Sequence, residues 1–223
     1  ERYKSHTETR ELFSVSSQHY AFVVNAFVSL LKRADMTRYE LFLRETRTYE
    51  IIEDVKNFRS EIGVLFLNSY NRDVLTKMFD DNRLTYTSLF KARPHIFVSK
   101  SNPLAKHEVV SLEDLEDFPY LSYDQGIHNS FYYSEEILSQ IPHKKSIVVS
   151  DRATLFNLLI GLDGYTIATG ILNSNLNGDN IVSIPLDIDD EIDIVYLKHE
   201  KATLSKMGEK FLDNLVKEVT FDN

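Results

Sequence analysis

The chain contains no cysteine, which excludes disulfides, thiolate metal sites and a cysteine nucleophile but suits a cytoplasm, an anaerobe or an exported protein equally. Positive charge is also scarce: 25 Lys and Arg against 34 Asp and Glu leave a formal net charge of -9. A broad nucleic-acid-binding face needs clustered Lys and Arg to displace counterions, and His143, Lys144 and Lys145 make too short a patch. No apolar run approaches the roughly 18 residues of a membrane span. The start ERYKSHTETRE lacks the apolar core of a signal peptide, although a signal already removed is compatible with it. There is no G-x-S-x-G elbow, and Gly161, Gly164 and Gly170 do not form a dinucleotide fingerprint. His107-Glu108 and His199-Glu200 lack a second His four residues after the first, so neither is a zinc motif. The acidic run Asp187, Asp189, Asp190, Glu191 and Asp193 lacks the Gly and terminal Glu of a calcium loop and reads as a solvated hairpin end. Glu135 and Glu136, neighbours on an expected helix, point in different directions and make a poor acid and base pair. No cofactor, metal or catalytic pair is expected.

What is present is a folding composition: 43% hydrophobic residues, 12 Tyr and 14 Phe across 223 residues, enough for one large or two small lobes. A strand is expected at Leu12 to Val15, a helix from His19 to Arg33, a strand from Glu40 to Arg44, a helix from Thr48 to Phe58 and a strand from Ile62 to Leu67. The His95 to Val98 run reads as another strand, closed by the turn cluster Ser101, Asn102, Pro103. Ser111 and Asp114 then spell a capping box. The same strand and helix grammar returns: strand Tyr120 to Tyr123, helix from about Ser130 to Gln140, strand Ser146 to Val149, helix Arg152 to Leu162, strand Thr166 to Thr169. Strands at Ile181 to Leu186 and Ile192 to Leu197 and a helix from Leu204 to Val219 complete the order.

Asn102, Pro103, Leu104 and Ala105, followed by Val110, Leu112, Asp114 and Leu115, resemble the crossover of LysR-type transcriptional regulators. The resemblance extends from about Glu11 to Val219 and implies an α/β fold of the type II periplasmic-binding-protein kind: two Rossmann-like βαβ lobes with a ligand cleft between them. On that pattern residues 1-11 end a linker helix, 12-98 with 197-223 form lobe I, and 99-196 form lobe II. The resemblance further implies a small-molecule effector and a preceding helix-turn-helix module as the DNA partner. It also implies a cytoplasmic homodimer or higher homo-oligomer with no membrane contact. Helix 19-33 has Phe22 and Ala26 opposite its main apolar stripe. A helix apolar all round is buried on both sides, either within the monomer or, as the resemblance favours, in a subunit interface.

Three hydroxyl-rich or polar loops follow strands and open helices: Ser16, Ser17, Gln18; Gln125, Gly126 to Ser130; and Ser150, Asp151, Arg152. Such loops meet at the carboxyl edge of parallel sheets, where free amides suit a carboxylate or other small anion. The same residues are also ordinary helix caps. The resemblance makes the first loop the principal effector contact and is closest to regulators of cysteine and methionine metabolism, hence an O-acetylserine-like amino-acid derivative. Arg44 and Arg152 are candidate carboxylate clamps, Thr46 and Thr169 lie at strand ends, and Ser99 is placed at the hinge. Two other readings remain open: an exported solute-binding protein of the same architecture, and a small-molecule enzyme on this fold.

Overall fold

The computed structural model describes residues 10-34, 37-172 and 174-220. Most of the expected linker-helix end at 1-11 lies outside them, and Glu11 already belongs to the first strand. Two five-stranded sheets form. The first contains β1 (Glu11–Ser17), β2 (Tyr39–Glu45), β3 (Ile62–Leu67), β4 (Leu84–Ala92) and β10 (Ile192–His199), in the order β2-β1-β3-β10-β4. The second contains β5 (His95–Ser99), β6 (Tyr120–Tyr123), β7 (Ser146–Val149), β8 (Tyr165–Ala168) and β9 (Ile181–Pro185), in the order β7-β6-β8-β5-β9. In each sheet three parallel strands are followed by antiparallel ones. Helices α1 (Ala21–Arg33), α2 (Thr48–Lys56), α3 (Arg72–Asp81) and α6 (Lys206–Thr220) accompany the first sheet. Helix α4 (Arg152–Leu162) and the short α5 (Ser174–Asn177) accompany the second.

Local chemistry accounts for these elements. Every residue of β3 is buried, as a strand covered on both faces requires. Its Gly63 is needed because a Cβ there would lie 2.8 Å from the Ile51 side chain and 2.9 Å from that of Val55, letting α2 press onto the sheet. Helix α4 is capped by Asp151, whose Oδ1 accepts the Thr154 amide at 2.8 Å. The capping box forms: Ser111 N–H donates to Asp114 at 2.8 Å, although only the 3-10 turn Glu113–Leu115 follows it.

Four expectations need correction. No α-helix spans 130-140; only a 3-10 turn, Phe131–Tyr133, forms there, because Tyr133, Glu135 and Glu136 are drawn into bonds with distant residues rather than a local ladder. Helix α1 is covered within the monomer: it packs along α6 through Phe27 and Phe211, Ser29 donates to Glu218 at 2.6 Å, and Arg33 donates to Asn214 at 3.0 Å. Its all-round apolarity thus needs no second subunit. The acidic run is not wholly solvated, since Asp193 is buried and accepts from Arg72 at 3.0 Å and from Ser88. The two passages between sheets lie at Arg93-Pro94 and between Pro185 and Ile192. Expected lobe edges at 98/99 and 196/197 fall inside β5 and β10, because the sheet that a strand joins depends on its pairing partners. Helix α3 and strand β4 were not anticipated; α3 buries only Leu75 and Phe79 fully, too little to stand out as periodicity.

Candidate ligand cleft between the two sheets

The carboxyl ends of β1, β6 and β8 face one another across the two sheets, and the polypeptide after β6 reaches over to the first sheet. The His19 amide donates to Glu135 Oε2 at 3.0 Å, and its Nδ1 lies 2.9 Å from the same oxygen. Both side chains are nearly enclosed, at 6% and 3% exposure. The imidazole also stacks on Tyr123, with centroids 4.1 Å apart. Around this latch Arg47 donates to Asp124 Oδ2 at 2.6 Å, the Thr48 hydroxyl donates to the Tyr133 carbonyl at 2.7 Å, and Tyr49 stacks on His128 at 3.5 Å. Tyr70 stacks on Tyr132 at 4.8 Å, and Arg152 Nε donates to Glu45 Oε1 at 2.9 Å. The sheets are held closed by the chain itself.

Behind the latch lies a small cavity, about 50 Å³ of it open to the centre of a water-sized sphere. Phe22, Phe66, Phe97, Tyr123 and Phe156 give it aromatic walls, and Glu135, Glu136, Arg152 and Thr169 supply its polar groups. Glu136 is 4% exposed; its Oε1 accepts the Tyr123 amide at 2.9 Å, while its Oε2 has no partner among the described residues. Burial first, and then the charge of Glu135, push the Glu136 carboxyl well above the usual carboxylate range, against the pull of backbone amides.

Of the residues expected from sequence, only Arg152 and Thr169 line this cavity. Ser16 faces away from it, its hydroxyl donating to Asp54 at 2.7 Å and lying 2.6 Å from that of Ser60. Ser17 donates to its neighbour's carbonyl, that of Gln18, at 2.6 Å. Gln18 is saturated: its Oε1 accepts the Phe66 amide at 3.1 Å and the Tyr20 hydroxyl at 2.7 Å, and its Nε2 donates to Thr48 at 2.7 Å. Because all three are fully enclosed and most of their hydrogen-bonding groups have internal partners, the first loop is a structural knot rather than a ligand contact. Arg44 donates to the Arg59 carbonyl at 3.2 Å on another face, and Thr46 donates to Glu50. Ser99 ends β5 on the side away from the crossings and pairs with Ser101 at 2.9 Å, so it is not at the hinge. Ser150 is exposed, and Asp151 is occupied as a helix cap.

Gln125 and Gly126 belong to the strap over the cleft. Gln125 Oε1 accepts the Thr48 amide at 3.0 Å and its Nε2 donates to Glu135 at 3.3 Å. Gly126 sits at φ +62, where a Cβ would lie 2.8 Å from the Arg47 guanidinium. The residues that sequence reasoning passed over are His19, Glu135 and Glu136. One signal for them existed: no Lys or Arg occurs from Asp124 to His143, so the acidic pair had to find its partner elsewhere in the fold.

Comparison with known proteins follows this geometry. The family described as the LysR substrate binding domain matches residues 16–220. The chain belongs to that family. Three solved structures share its fold. The reduced regulatory domain of OxyR from Pseudomonas aeruginosa has a TM-score of 0.65 at 12% identity, covering 93% of this chain and 98% of that one. The effector binding domain of QuiR in complex with shikimate has a TM-score of 0.60 at 16% identity, covering 94% and 97%. HinK, a LysR family transcriptional regulator from Pseudomonas aeruginosa, has a TM-score of 0.61 at 13% identity, covering 97% and 72%. At these identities the likeness is one of fold. No curated protein matches the chain in sequence.

A LysR substrate-binding domain is a regulatory effector-binding unit rather than a catalytic one. In this LysR domain the latch carries a pH dependence. Burial lowers the His19 pKa, but the Glu135 hydrogen bond and charge, helped by Glu45, outweigh it and hold the imidazolium above its ordinary 6.5. A raised pKa means that the folded form binds the proton more tightly, so the stabilisation is complete below the ordinary value and disappears as pH rises through the folded one. The stability difference between the natural chain and His19→Gln, from urea unfolding, is therefore expected to shrink between about pH 6 and about pH 9. A difference constant over that range would mean that the imidazole is not charged against Glu135.

Proposed function

We propose that this chain is the effector-sensing and dimerising half of a LysR-type transcriptional regulator. A small metabolite between the lobes biases their angle, and the angle governs how a helix-turn-helix module preceding Glu1 holds DNA. The observation that carries this reading is the enclosed cavity between two sheets that are joined by only two crossings, in a chain of the LysR family. Such an arrangement has two positions available, and a ligand shifts their populations in so far as it binds one better.

We take the first sheet with its helices as lobe I and the second as lobe II, meeting at Arg93-Pro94 and at 186-191. Arg152 and Thr169 remain ligand-binding candidates, joined by Glu136 and Tyr123 in the wall. An amino-acid derivative of the O-acetylserine kind is compatible through its ammonium group, which Glu136 suits, and not through the hydroxyls of Ser16 and Ser17, which are already used. The regulator would act in the cytoplasm as a homodimer or higher homo-oligomer, with α1 contributing partly exposed Val24, Val28 and Leu31. Among the described residues no helix is long and apolar enough to cross a membrane.

The test is made on the native protein from its source cells, by intact mass, N-terminal sequencing and nuclease footprinting. A helix-turn-helix module ahead of Glu1, and a footprint that changes with a metabolite bound in the cleft, are the expected results. A mature chain starting near Glu1 after signal removal, with no DNA protected, would overturn the reading in favour of a solute-binding protein.

A further inference from the structure

The polar groups of the interlobe cavity have a one-sided chemistry. The anion-favouring position at the entry to α1 is already filled, since the His19 amide and imidazole both hold Glu135. Arg152 is committed as well: Nε and Nη2 face the Glu45 carboxylate, at 2.9 and 3.5 Å, and Nη1 donates to Asn177 at 3.0 Å. What is left over is an acceptor, Glu136 Oε2, enclosed and without a partner among the described residues. A buried polar atom in that condition calls for an explanation, and a ligand donor supplies one. A ligand carboxylate would instead bring a third acidic group against Glu135 and Glu136, where like charges repel in a poorly solvated space.

The remaining wall fits the same kind of guest. Phe22, Phe66, Tyr123 and Phe156 present aromatic surface to an apolar body, and ring faces attract a nearby cation. The open space corresponds to roughly three to five waters, about the bulk of a butyl or phenyl group. We propose that this cavity binds a small amine with an apolar body, its ammonium nitrogen hydrogen-bonded to the free oxygen of Glu136. The assignment rests on the reading of the cavity as the effector site and narrows it to a ligand class.

The proton balance gives a second readout. The Glu136 carboxyl, kept protonated by burial and by Glu135, must ionise to pair with an ammonium ion. An amine that arrives protonated from neutral solution therefore sends one proton from Glu136 to solvent. The other titratable groups nearby leave that proton count unchanged: Tyr20, Tyr120 and Tyr123 are held as neutral phenols by burial, His19 is paired with Glu135, and Arg152 with Glu45.

The experiment titrates the 223-residue chain with matched sets, n-butylamine, butyrate and n-butanol, then benzylamine, benzoate and benzyl alcohol. It follows heat in buffers of different ionisation enthalpy and the resonances of Phe22, Phe66 and Phe156. In each set the amine is expected to bind at least about tenfold more tightly than its partners, to move those resonances and to release about one proton. Glu136→Gln is expected to erase both the preference and the proton release; should that variant not fold, the ranking on the natural chain decides. A carboxylate or alcohol that equals the amine while moving the same resonances would overturn the amine assignment and leave the cavity as the binding site. Amine preference that survives in folded Glu136→Gln would overturn the role of Glu136. If no probe moves those resonances, the amine proposal and the effector-site reading fall together.

Discussion

Glu135→Ala is expected to destabilise the chain by about 3 kcal/mol, the lower end of what breaking one side of a buried ion pair costs. The substitution strands the His19 amide and imidazole, which approach the carboxylate at 3.0 and 2.9 Å, and removes the acceptor for Gln125 Nε2 at 3.3 Å. The estimate stays low because His19 can shed its proton once its partner is gone. Glu135→Gln keeps an acceptor in place and loses only the charge, so it should cost about half as much. Urea unfolding gives the stability, and small-angle scattering should show the lobes further apart in the alanine variant. A loss below about 0.5 kcal/mol with unchanged scattering would mean that the latch does not hold the sheets together.

Phe22→Ala should cost about 3 to 5 kcal/mol, the usual range for truncating a buried aromatic. Phe22 is 2% exposed, stacks on Tyr20 at 4.7 Å and meets Phe90 edge-on at 5.4 Å. It belongs both to the core of the first sheet and to the cavity wall. The midpoint of urea unfolding should fall while its slope stays unchanged, because the surface exposed on unfolding hardly alters. The same substitution opens space beside Glu136, so ligands larger than the natural one should gain affinity. A stability loss under about 1 kcal/mol would contradict the close packing of α1 over the sheet.

The two variants probe different kinds of information in the chain. Phe22 was legible as a core position, since the apolar period of helix 19-33 marks it. The strands Ile62–Leu67, Tyr120–Tyr123 and Ser146–Val149 and the helix Arg152–Leu162 were legible to the residue, each being a compact apolar run bounded by polar or turn-forming neighbours. The candidate site was far less so. Ser16, Ser17 and Gln18 do end the first strand, yet alternate strand residues point to opposite faces. Asp54, Ser60, Thr48 and Phe66 had already claimed most of their hydrogen-bonding groups. Their availability to a ligand depended on partners that lie 30 to 48 residues away.

The sequence by itself determined the order of strands and helices, the repeated lobe grammar and the LysR kinship, because apolar periodicity and turn chemistry act over a few neighbouring residues. Only the tertiary structure decided which polar groups are spent and which remain. Closure brings His19 to Glu135 across 116 positions, fills the anion slot from within and leaves Glu136 facing the cavity with an oxygen unpaired. Hydrogen bonds are short and directional, so their allocation follows from where the two sheets come to rest.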